Sequence, residues 1–312
     1  MVLVGLVASL GIFFWWQGVP ATTNPSLNVA ASEPVLAVKP VNLMPAAPVL
    51  LNGAWPINTS ADSFGVAFVP ATLDNTQILI EKNSREPVPI ASLTKLLTAA
   101  VSLSRYPLDT PVTVNPAALV ESPDAGFLRS GDQFTLAELL RMMLVESSNN
   151  AAYAVAELEP PGQFIDLMNE TVRGWGLTTS TFFNPSGLDP QMLSTEINQS
   201  SATDLLRLAV YLLREQPEVW ELSRQFSQPV YSADGQFHHE IKPTNQLLVS
   251  SAWSSQMVGG KTGQTERAKK NLLVVLRQPE LEGYLVAVVL GSADHFRDMD
   301  NLLRWVYQSY KF

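Results

Sequence analysis

The sequence predicts an α+β fold in which one antiparallel sheet is built from both ends of the folded chain and a helical region is inserted between them. Three observations lead there. Strand-like runs lie near the start and again near the end, amphipathic helical patterns occupy the middle, and a helical run closes the chain. With 312 residues, 46% of them hydrophobic, there is enough chain for one large domain or two small ones, and enough apolar surface for a packed core. No internal repeat is visible.

The stretch "VLVGLVASLGIFFWW", Val2 to Trp16, carries no charge and ends in two tryptophans of the kind found at membrane interfaces. It falls short of the ~20 residues that span a bilayer upright. No lysine or arginine precedes it, a departure from the basic lead-in of export signals that suggests a clipped or misassigned start. Residues 1–19 fit either a signal peptide or an uncleaved membrane anchor. From Pro20 to Pro56 seven prolines and only two charges, Glu33 and Lys39, favour extended chain. Residues 20–57 are therefore expected to be a linker, and 58–312 the folded domain.

"FGVAFVP", Phe64 to Pro70, and "QILIEKN", Gln77 to Asn83, joined by a polar "ATLDNT", predict a strand hairpin. "TLAELLRMMLVES" sets Leu136, Leu139, Leu140, Met143 and Leu144 on one stripe, behind a capping box of Thr135 and Glu138. A second stripe, Leu206, Ala209, Val210 and Leu213, recurs in "SATDLLRLAVYLL". "NLLVVL" and "YLVAVVLGS", separated by a turn through Pro279 and Gly283, return to the strand period, and "DMDNLLRWVYQ" predicts the closing helix.

A net charge of -9 argues against a nucleic-acid partner, which requires a clustered basic face to neutralise phosphates. The chain has no cysteine, so disulfides and thiolate metal sites are excluded. Of its three histidines, His238 and His239 are adjacent and would point to opposite faces of a strand. A solvated pair is expected, and a poor start for a metal site.

Three short patterns carry chemistry. In "PIASLTKLLTAA", Ser92 and Lys95 lie three residues apart, which on a helix means about 60° of rotation and ~4.5 Å of rise, so the two side chains share a face. A lysine there can take the serine's proton once burial or a second cation lowers its pKa. At a helix start, free backbone N–H groups favour developing negative charge, which suits acyl transfer. In "VESSNNAAYAVAE" a polar turn, Ser147 to Asn150, separates two helical runs; a helix cap explains the serines and asparagines taken singly. In "VGGKTGQTERA", Lys261 and Thr262 stand beside glycines that mark either a close backbone approach on an edge strand or a turn.

Ser-x-x-Lys, Ser-x-Asn and Lys-Thr-Gly, in that order, form the motif set of penicillin-binding proteins and class A β-lactamases. From about Asn58 to Phe312 the chain resembles the low-molecular-mass penicillin-binding proteins, the D-alanyl-D-alanine carboxypeptidase family (peptidase family S11). "FFNPSGLDP", "PTNQLL" and the absence, between Ser-x-Asn and Lys-Thr-Gly, of a Glu-x-x-x-Asn loop segment of the kind those enzymes use separate it from class A β-lactamases. The resemblance implies a β-lactamase/transpeptidase-like fold and a serine D,D-peptidase that acts on peptidoglycan stem peptides, binds β-lactams and uses no metal or other cofactor. It also implies an extracytoplasmic location, with the chain either tethered to the cytoplasmic membrane through its N-terminal segment or secreted. Ser92 would be the nucleophile and Lys95 its proton acceptor. Ser147 would relay a proton to the leaving amine, Asn149 would bind the substrate backbone and hold Lys95, and Lys261 would depress the other lysine's pKa. Thr262 would contact the terminal carboxylate, and the backbone N–H groups of Ser92 and Gln264, the latter just after Gly263, would form the oxyanion hole. Arg297 would lie near the carboxylate site.

Two departures stand out. Asn150 follows Ser-x-Asn where the family commonly has an acid, and Arg267, Lys269 and Lys270 follow the Lys-Thr-Gly strand where small residues are common. The resemblance leaves open whether terminal alanines are trimmed or cross-links are cut.

Overall fold

The computed structural model describes residues 47–51, 57–120, 124–190, 194–249 and 252–312. The expected membrane segment and nearly all of the expected linker lie outside the described residues. Among the described residues no helix is long and apolar enough to cross a membrane.

Five antiparallel strands form the central sheet: β1 (Ser63–Pro70), β2 (Gln77–Lys82), β3 (Met257–Thr265), β4 (Lys269–Gln278) and β5 (Gly283–Ser292), in the order β3-β4-β5-β1-β2. The predicted hairpin is β1–β2. Pairing of β1 with β5 joins the two ends of the domain, Ser63 lying opposite Leu290 and Pro70 opposite Gly283. A further short pairing sets Val49–Leu50 against Tyr310–Lys311, so ordered structure reaches back into the stretch expected to be linker.

Side-chain alternation explains why both faces of the sheet are covered. On β4, Leu272, Val274 and Leu276 share a cluster with Met299, Leu302, Leu303 and Val306 of the closing helix, α7 (His295–Ser309). Leu273 and Val275 belong instead to a second cluster on the other face, shared with the helical region. That region comprises α1 (Thr94–Leu103), α2 (Leu136–Val145), α3 (Asn149–Ala156), α4 (Gln163–Gly174), α5 (Ala202–Glu215) and α6 (Glu218–Ser223). α1 is buried from Thr94 to Ser102, the mark of a helix surrounded by protein.

Thr135 caps α2 by accepting from the Glu138 N–H, and all five residues of the predicted stripe are buried. On α5 the buried face is rotated from the one predicted: Leu205, Leu208 and Leu212 join Leu206 and Ala209 inside, while Val210 and Leu213 are only half-buried. The wider apolar stripe left the orientation undetermined.

The expected solvated histidine pair, pointing to opposite faces, is not what the structure has. His238 and His239 are half-buried, with Nδ1 atoms 2.7 Å apart, and His239 Nε2 lies 2.9 Å from Glu146 Oε1. They occupy the second strand of a hairpin, Gln228–Tyr231 with Phe237–Ile241, where Val230 pairs with His239 and Tyr231 with Phe237. His238 is therefore the extra residue of a bulge, which re-aims its side chain towards its neighbour.

Candidate active site

The Ser92 turn is shaped by its neighbours. Ser92 sits in a 3-10 turn, Ala91–Leu93, that runs straight into α1, and Ala91 has φ +48°. A Cβ on Gly187 would fall 1.9 Å from the Ala91 carbonyl oxygen, so only glycine lets the 184–189 loop pass there. On the other side, a Cβ on Gly263 would lie 2.8 Å from the Ile90 oxygen and 3.1 Å from the Ser92 nitrogen. The edge strand β3 thus presses directly against the serine turn, which decides between the two readings of the Lys-Thr-Gly stretch: it is strand.

Lys95 is fully buried, with Nζ 2.9 Å from Ser92 Oγ, 2.8 Å from Asn149 Oδ1 and 2.8 Å from the Ser186 carbonyl oxygen. Two of these three partners can only accept. A neutral amine donates its two hydrogens to them and turns its lone pair towards the Ser92 hydroxyl, which then donates to it. Burial, and next the positive charge of Lys261, hold Lys95 well below the ordinary lysine range; the Asp124 carboxylate opposes them. Lys261 is also buried, donates to Ser147 Oγ at 2.9 Å and to the Thr262 carbonyl at 2.9 Å, and is pulled down to about 7 by burial.

Ser147 has φ +69° and Ser148 caps α3, which begins at Asn149. The three motifs therefore meet: α1 supplies Lys95, the turn between α2 and α3 supplies Ser147 and Asn149, and β3 supplies Lys261. They border a cleft of about 500 Å3 lined by Ser92, Ser147, Asn149, Thr262, Gly263 and Gln264, among others. Thr262 Oγ1 is 2.7 Å from Thr244 Oγ1, and Gln264 is exposed. A larger groove, about 670 Å3, opens beside β2 near Trp175 and Tyr211 and contains none of the motif residues.

Arg297 is not brought to the cleft. The cap of α7 at Asp294 puts residue 297 on the exposed side of the first turn, and His295 and Phe296 line the cleft instead. Burial pushes the His295 imidazole down to about 4, so it is neutral at physiological pH.

Sequence reasoning missed several supporting groups. Asn184 Oδ1 accepts from the Ser186 and Gly187 N–H groups, and Asn198 Oδ1 accepts from the Phe183 and Asn184 N–H groups. Asn198 Nδ2 donates to Thr94 Oγ1 at 3.0 Å. "FFNPSGLDP" is thus a loop that aims the Ser186 carbonyl at Lys95. Its single acid, Asp189, accepts from Thr265 Oγ1 and the Arg267 N–H at the end of β3. The Asn-Pro and Ser-Gly steps are turn signals, but they do not say where the turn points. Asp124, ahead of α2, had no motif to mark it.

Residues 66–294 match the family model described as D-alanyl-D-alanine carboxypeptidase, peptidase S11. The chain belongs to that family. Members of peptidase S11 are serine D,D-peptidases, and this chain is one. A D-alanyl-D-alanine endopeptidase of Pseudomonas aeruginosa is 31% identical over 74% of this chain and 73% of its own length. D-alanyl-D-alanine carboxypeptidase DacC of Escherichia coli is 30% identical over 75% of this chain, which spans only 59% of that relative. Among solved structures, penicillin-binding protein D2 of Listeria monocytogenes in its ampicillin-bound form superposes with a TM-score of 0.66 at 25% identity, over 81% of this chain and 99% of that one. The α+β, transpeptidase-like fold expected from the sequence is the fold found.

Proposed function

We propose that this S11 peptidase is a D-alanyl-D-alanine carboxypeptidase that removes the terminal D-alanine of peptidoglycan stem peptides through an acyl-enzyme on Ser92. The observation that carries the reading is Lys95 Nζ, buried and 2.9 Å from Ser92 Oγ, with its other two partners both carbonyl oxygens. Lys95 takes the hydroxyl proton as Ser92 Oγ attacks the carbonyl carbon of the penultimate D-alanine. Lys261 supplies a proton through Ser147 to the leaving amine as the peptide bond breaks. Water then attacks the ester carbonyl, its proton passing through Ser147 to the now neutral Lys261, and Lys95 returns its proton to the Ser92 oxygen as the ester bond breaks.

The backbone N–H groups of Ser92 and Gln264 are the oxyanion donors in this reading, supported by the approach of Gly263 to the Ser92 nitrogen. Loss of one such donor typically costs about 3 kcal/mol of transition-state stabilisation. Asn149 binds the substrate backbone and Thr262 its carboxylate, while Arg297, outside the cleft, is given no role. β-Lactams acylate the same serine. The apolar Val2–Trp16 run and the proline-rich stretch after it support an enzyme held at the outer face of the cytoplasmic membrane, where its family's substrate lies.

A fluorescent penicillin should label the wild type covalently and leave Ser92→Ala unlabelled; a wild type that never labels would sink the reading. The endopeptidase relative of similar length favours a second reading, cleavage of cross-links. Incubation with purified muropeptides separates the two: loss of terminal D-alanine from monomers is expected, and splitting of dimers without that loss would give the second reading.

A further inference from the structure

We propose that Asp124, from the loop ahead of α2, is a positioning residue of the acylation centre, whose carboxylate clasps the Ser147–Asn149 turn and thereby fixes the partners of both buried lysines. The proposal rests on the reading of Ser92 and Lys95 as nucleophile and base. Asp124 Oδ1 accepts from the Asn149 N–H at 2.8 Å, and Oδ2 accepts from the Ser148 hydroxyl and from the Gly126 N–H at 3.2 Å. The loop closes tightly on the turn: a Cβ on Gly126 would fall 2.6 Å from Ser148 Oγ.

The turn needs such a hold. Ser147 is in the left-handed region, an uncommon and costly conformation for a residue with a side chain. Ser147 Oγ faces Lys261 and Asn149 Oδ1 faces Lys95, so a shift of this turn disturbs both amines together. An acid immediately after Ser-x-Asn is absent, since position 150 is asparagine; Asp124 brings a carboxylate to the same turn from a different element. Its contacts with Ser148 and Asn149 leave both catalytic hydroxyls untouched, which is why it acts through other residues.

Charge adds a consequence that geometry alone would not. Around Lys95 stand Lys261 on β3, Asp124 in its loop, and further off the Glu146–His239 pair beside the turn, His238 behind it and His295 across the cleft. Asp124 is the carboxylate that favours the protonated form of Lys95. Without it, Lys95 loses its proton at lower pH, and the rising limb of the acylation profile moves towards acid.

The test is the pH dependence of β-lactam acylation in wild type, Asp124→Asn and Asp124→Glu, with folding checked by thermal melting. Asp124→Asn should lower the plateau rate by about 10–100-fold, as expected for a lost charge-assisted contact, and shift the rising limb to lower pH; Asp124→Glu should restore the limb. A wild-type plateau, or a slowed plateau with the limb unmoved, overturns the proposal. If Asp124→Asn does not fold, Ser148→Ala keeps the charge and removes one contact: slower acylation with an unmoved limb supports the clasp, and wild-type rates refute it. A wild type that is never acylated would instead refute the assignment of Ser92.

Discussion

At the residue scale, the site trades stability for reactivity. Lys261 is buried and titrates at about 7 rather than near 10.5. Between those values the unfolded chain binds the proton and the folded chain does not, so this group makes stability rise with pH from about 7 to about 10.5; below about 7 its full penalty is present. The penalty is at most about 5 kcal/mol by the conversion of 1.36 kcal/mol per unit. Lys261→Met should therefore be inactive yet more stable than the wild type at pH 6, with the gap narrowing towards pH 10 in urea melts. A gap that does not change with pH would contradict this account. Much of this was legible beforehand: Ser92, Lys95, Ser147, Asn149 and Lys261 meet as the three patterns implied. Asp124 and the Ser186 carbonyl were not legible, because one is a lone acid without a pattern and the other a backbone atom aimed by its loop.

At the scale of elements, the Ser92 turn is held between a loop and a strand that both need glycine. Gly187 has φ +85° and no room for a Cβ beside Ala91. Gly187→Ala should push the 184–189 loop away, take the Ser186 carbonyl from Lys95, and slow acylation by at least about tenfold, since misplacement by about 1 Å can cost 100-fold. Unchanged acylation kinetics in a folded Gly187→Ala protein would show that the loop does not aim the lysine. Sequence periodicity gave the helices and strands their identity here, yet it misjudged the facing of α5 and of the histidine pair. A stripe wider than one face and a one-residue bulge are both decided by tertiary packing rather than by local pattern.

At the scale of the whole molecule, the sheet ties residues from opposite ends of the domain, and α7 covers one face of it through Met299, Leu302, Leu303 and Val306. Leu303 is fully buried, so Leu303→Ala should destabilise the fold by about 2–5 kcal/mol. Penicillin labelling and helical circular dichroism should be lost together, at the same lowered temperature. Labelling that disappears well before the helical signal would mean that the helical region unfolds independently of the sheet. The expectation of strands from both chain ends was readable from their order alone, whereas the pairing of Val49–Leu50 with Tyr310–Lys311 was hidden in a proline-rich composition that resembles unpacked chain.

The burial of Lys95 and Lys261 has one more consequence. Dissolved counter-ions screen exposed charges within roughly 8–10 Å at ordinary ionic strength, but they scarcely reach charges enclosed by protein. The coupling between these two amines is thus insulated from the medium, and their proton balance is set by the fold rather than by the salt of the surrounding solution.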